Sequence, residues 1–143
     1  MCQLRFTPER LDEIFERTDG KCHLCGKGMC RSNYATLGAR GAREVEHSNP
    51  RCKGGSDRLN NLYGAHIRCN RSKGQKMART ARSWHGRTKA PLSAQKKEDI
   101  RQRNACGLAA LGLALGAMTG GVGPALFWGA TCAAVGNSLD PED

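Results

Sequence analysis

Two short pairs of side chains have the spacing of metal ligands: Cys22 and Cys25, then His66 and Cys69. Two intervening residues let a tight turn aim both members of a pair at one ion. Thiolate and imidazole are the donors zinc prefers in closed tetrahedral sites. Cys30 and Cys52 are spare candidates, whereas Cys2, Cys106 and Cys132 read as free thiols. Between the pairs lie Glu44-Val-Glu46-His47, Gly54-Gly55, and Asn61-Leu62, and Cys69 is followed by Asn70-Arg71-Ser-Lys73-Gly74. A histidine beside a carboxylate can take a proton from water at neutral pH while oxygen donors nearby hold a hard cation.

The elements needed to position these groups are legible. Thr7 can cap a helix, Pro8 suits its first position and Glu9 its first turn. Leu11, Ile14 and Phe15 form an apolar stripe at helical spacing, read as core, and Asp19-Gly20 ends it. A Gly- and Ala-rich loop covers residues 26–42. Residues 43–47 read as a strand, Gly54-Gly55 as a turn, residues 60–63 as a second strand, and residues 67–80 as a helix dense in Arg and Lys. Ser93 can cap a further helix through residues 96–100.

The order of these motifs, from Cys22 to Gly74, resembles the HNH endonuclease family in its zinc-bearing form. The intervals are similar to those in the HNH domain of CRISPR effector nucleases. The resemblance implies a small ββα-metal unit with a zinc knuckle. With the N-terminal helix and the helical Gly/Ala-rich tail read from the residues, the expected fold class is α+β. It implies His47 as general base, Asn61 as the residue that orients it and fixes the loop, and Glu46 and Asn70 as ligands of a catalytic divalent ion such as Mg2+. Asn in the last motif position makes this an H-N-N variant. Structural zinc would be held by Cys22, Cys25, His66 and Cys69, His66 standing where relatives have cysteine. Arg68, Arg71, Lys73 and Lys76 are the expected phosphate contacts. Read alone, Asn70 could instead cap a helix, Asn61 sit in a turn, and the basic side chains form a solvated face. His23 and His85 have no motif role.

Charge sets the partners. The 143 residues carry 23 Lys and Arg against 13 Asp and Glu, net +10. Eleven Lys and Arg and no acid lie from Arg58 to Lys97, and no charged residue from Asn104 to Leu139. The expected organisation is therefore a nuclease domain over 1–80, a basic linker or helix over 81–103, and an uncharged helical hairpin over 104–139. A polyanion is the implied partner, DNA first with RNA not excluded. Gly112, Gly116 and Gly120 give the tail a small-residue ridge suited to close helix packing, in self-association or at a membrane. Each half is too short to span a bilayer alone. The polar, charged start gives no signal peptide, so the eight cysteines fit a reducing compartment. The expected location is the cytoplasm, with membrane association or delivery to a target cell as alternatives. The function expected is a metal-dependent DNA endonuclease. The alternatives are an inactive zinc-bearing nucleic-acid-binding module and a membrane-active toxin with a nuclease head.

Overall fold

The computed structural model describes residues 6–118 together with 130, 131 and 134. The chain divides into two compact units, Met1–Ala94 and Gln95–Glu142. The first begins with α1 (Pro8–Glu16), where Thr7 Oγ1 accepts the Arg10 amide at 3.3 Å. Leu11, Ile14 and Phe15 are its buried stripe. Past the helix, Asp19 adopts a left-handed φ of 52° and turns the chain into the knuckle.

The knuckle closes by Gly26 N donating to Cys22 O and Cys22 N to Lys27 O, both at 2.8 Å. The loop that follows is fastened by Arg43, a buried cation. Its guanidinium donates to Arg31 O at 2.9 Å and lies over the Phe15 and Tyr34 rings at 4.8 and 5.4 Å. Strand β1 (Arg43–His47) pairs antiparallel with β2 (Leu62–His66), Glu46 opposite Tyr63 and His47 opposite Leu62. Helix α2 (Ile67–Lys73) follows β2 without a linker, giving a small ββα unit, and α3 (Ala78–Ser83) comes next.

Three expectations shift. The second strand starts at Leu62 because residues 59–61 form a 3-10 turn, whose Asn61 N–H goes back to Arg58 O at 2.9 Å. The helix expected over 67–80 is two helices. Gly74 lies at φ +54°, a region side-chain-bearing residues rarely adopt, and the redirected chain lets Ala78 N donate to Ser48 O at 2.9 Å. The expected break at 103/104 falls inside α4 (Ala94–Met118), one continuous helix. The hairpin turn and most of its second arm lie outside the described residues. Among the described residues no helix is long and apolar enough to cross a membrane.

The core beneath the sheet is small: Cys22, Leu24, Ala65, Ala78 and Ala81 are buried, with Cys25, Met29 and Cys69 packed against them. Alanine and cysteine supply little apolar area, so a cross-link at the knuckle would add to the burial that Leu11, Ile14, Phe15, Leu62 and Ile67 provide elsewhere in the unit.

Candidate functional site: a Cys/His cluster beside a ββα unit

The cluster is assembled from the knuckle and the β2–α2 junction. The ligand atoms of Cys22, Cys25, His66 and Cys69 all lie within 4.8 Å of one another. The four residues expected as one set are thus close enough to bind a metal. His66 ends β2, and its Nε2 donates to Gly28 O at 3.1 Å, leaving Nδ1, 3.4 Å from Cys25 Sγ, with a free lone pair facing the cluster. Such an outer hydrogen bond fixes the tautomer of a ligating imidazole. Cys22 receives a hydrogen bond from Cys69 and one from the His66 amide at 3.3 Å, and its thiol is held well below the usual range. Cys69 is pushed up by that same bond to Cys22 and by burial, and Cys25 by burial. Three crowded sulfurs with one held as thiolate, plus an oriented imidazole, fit a tetrahedral soft cation.

His47 closes β1. Its Nε2 lies 2.7 Å from Asp57 Oδ1. A carboxylate can only accept, whereas Arg51 Nε stands 3.2 Å from the same Nε2 and could donate to it only in the opposite tautomer. With the shorter Asp57 contact made, Nε2 carries the proton, Arg51 Nε turns its own to Asp57 Oδ1, and Nδ1 keeps the basic lone pair. Arg51 clamps the same carboxylate through Nε, at 3.1 Å, and Nη2. The Asp57 carboxyl is held below its ordinary value, first by Arg51 and then by His47. Asn61 fixes the loop between. Its Oδ1 accepts the Asn49 amide at 2.7 Å, and its Nδ2 donates to Asn49 O and Ser56 O at 3.0 and 2.9 Å. Its own carbonyl takes the Ser48 amide, next to His47, at 2.9 Å. Gly55 makes the tight return possible, since a Cβ there would meet Asn49 O at 1.8 Å.

Glu46 is fully buried. Its Oε2 lies 2.7 Å from His23 Nδ1 and its Oε1 3.2 Å from Lys73 Nζ. Arg82 Nη1 faces His23 Nε2 at 2.7 Å, and a guanidinium only donates, so His23 accepts there and donates through Nδ1 to Glu46. Tyr63 stacks on His23 at 3.9 Å between ring centroids. Asn70 is turned to Glu44, donating to its Oε1 at 2.9 Å. A divalent ion at Glu46 would sit against the Lys73 ammonium, 3.2 Å from an Oε1 that accepts no hydrogen bond among the described residues, while Oε2 is taken by His23 and Asn70 is bonded to Glu44. As arranged, these residues do not fit that ion.

The expected phosphate contacts separate by burial: Arg68, Arg71 and Lys76 are exposed, while Lys73 is 3% exposed and engaged with Glu46. Two residues without a motif role join the site. Asp57 had one legible signal, being the only acid between Glu46 and Glu98. His23 had none, since only the fold brings the knuckle over Tyr63. No family model matches this sequence, and no curated protein or solved structure matches it either.

Proposed function

We propose that the chain is a zinc-stapled nuclease of the HNH type that hydrolyses phosphodiester bonds in DNA with His47 as general base. The carrying observation is His47 at the end of β1 with Asp57 on its Nε2, in a loop pinned by Asn61. His47 Nδ1 would take a proton as water adds to phosphorus, and the departing oxygen would be protonated from solvent as its P–O bond breaks. Asp57 holds the imidazole in the required tautomer and offsets the charge it gains. Bound zinc would supply a closed cross-link, with all four positions filled by Cys22, Cys25, His66 and Cys69 and none left for water. Exposed Arg68, Arg71 and Lys76 would meet phosphates. The HNH pattern adds a divalent ion such as Mg2+. Glu46 and Asn70 do not fit it as arranged, and no step is routed through it.

The test is purified full-length chain on supercoiled plasmid, with and without Mg2+, beside His47→Ala. Nicking that His47→Ala lowers by about 10²-fold or more is expected of a general base. A wild type that binds plasmid but cuts neither DNA nor RNA under any divalent metal would leave a binding module. Equal rates with and without Mg2+ would remove the divalent ion and leave His47.

A further inference from the structure

Beside the Cys/His cluster runs a groove of about 870 Å³, lined in part by Cys25, His66 and Cys69; of the groove's other side chains only Arg68 has a part in the nuclease chemistry. Its volume falls within the ~300–1,000 Å³ of ordinary ligand sites. Its walls bring together Lys27, Leu37, Arg40 and Arg68 with Trp84 and His85, and no Asp or Glu lines it. Leu37 is 68% and Trp84 47% exposed, and both line this groove. Lys76 Nζ stands over the Trp84 ring at 4.7 Å, so the indole is held by a cation rather than buried by its own core.

We propose that this groove binds unpaired nucleotides of a nucleic-acid strand, with Trp84 as the stacking platform and Lys27, Arg40 and Arg68 on the phosphates. This rests on the nuclease reading and narrows its substrate. The chemistry selects the occupant. Three cations without a carboxylate fit a polyanion, and a half-exposed indole fits a flat ring. Within a duplex a base's faces are covered by its neighbours, so only an unstacked base reaches the indole. Leu37 adds an apolar wall for the base edge, and exposed Arg40 on the same loop can follow the backbone.

The experiment measures binding of a labelled single-stranded DNA, its duplex, the same sequence as RNA, and a free nucleoside monophosphate. It uses the zinc-loaded full chain in the His47→Ala background so that nothing is cut. Trp84→Ala should weaken single-strand binding by about 5- to 150-fold, the equivalent of ~1–3 kcal/mol for one stacked base, and leave duplex binding within twofold. Trp84→Phe should keep most of the affinity. Leu37→Glu, a change at a residue already exposed, should also weaken the single strand selectively. Zinc content measured on each variant excludes loss of the cluster. Equal losses on single strand and duplex, or none from either variant, would overturn the groove assignment. Tighter binding of the free monophosphate than of the strand would also overturn it, in favour of a small-molecule site. Plasmid cutting by wild type is scored separately, so a failed nuclease reading and a failed groove give different results.

Discussion

Replacing Glu46 by Gln separates a buried counter-ion from a metal ligand. The carboxylate is fully buried and Lys73 is 3% exposed, so water screens their 3.2 Å contact little. Gln keeps an oxygen for His23 Nδ1 but removes the charge that offsets the ammonium. Breaking one side of a buried pair costs ~3–5 kcal/mol. Lysine can swing its head outward on a flexible stem, which puts the expected loss near the lower end, about 3 kcal/mol. For a unit under 100 residues each kcal/mol moves Tm by about 4–8 °C, so a drop of roughly 12–24 °C is expected. The assay is thermal unfolding of the zinc-loaded full chain by circular dichroism. Adding Lys73→Met to Glu46→Gln removes both charges and should restore at least half of the loss, a coupling in the ~1–3 kcal/mol range of contacting residues. A Glu46→Gln protein melting within about 3 °C of wild type would refute the pairing. If that stable variant were also inactive, Glu46 would be a ligand and not the partner of Lys73.

Three further outcomes follow from the same contacts. Zinc uptake must expel the protons that the raised thiols of Cys25 and Cys69 retain, so affinity should rise with pH by more than about one decade per unit between pH 6 and 8. Competition with a chromophoric chelator measures this, and a flat response would remove the cluster as a zinc site. Asp57→Asn should lower kcat by about 10-fold or more with little change in KM, less than the ~10²–10⁴ of the base itself. The folded Asp57 carboxyl lies below its ordinary value, so its contribution is complete above ~3.9 and is lost only as pH falls through that lower folded value. Any acid limb of a pH–rate profile that lies above ~3.9 does not come from Asp57 and should survive Asp57→Asn, and its disappearance would refute the positioning role. Plasmid affinity should fall steeply with salt, and Arg71→Gln should reduce the log–log slope by about 0.9, the share of one phosphate. An unchanged slope would leave Arg71 a solvated cation.

What the sequence made legible was local. The Thr7 cap, the strand over residues 43–47 and the two ligand pairs each depend on residues a few positions apart, where turn and helix geometry act directly. What it hid depends on contacts across the fold. The Asp57–His47 contact spans ten residues and exists because Gly55 and Asn61 fold the intervening loop back. Lys73 reads as one more cation in a basic run, and only packing of α2 on β1 sends it inward to Glu46. Residues 67–80 carry a helical pattern throughout, yet a break over residues 74–77, opening at the left-handed Gly74 and ending at the extended Met77, divides them.

The four ligand positions leave about 40 residues between Cys25 and His66, and Glu44, Glu46, His47, Asp57 and Asn61 all lie in that stretch. A metal there turns the stretch into a ring, and closing a ring of that length costs an unfolded chain about 3 kcal/mol of entropy. A ring tolerates one cut. Scission at the exposed Leu37 would divide the chain into two pieces, each carrying part of the clasp: Cys22 and Cys25 on one, His66 and Cys69 on the other. Separately produced halves would then form a split protein, with zinc as the signal that reunites them and a chelator as the one that parts them.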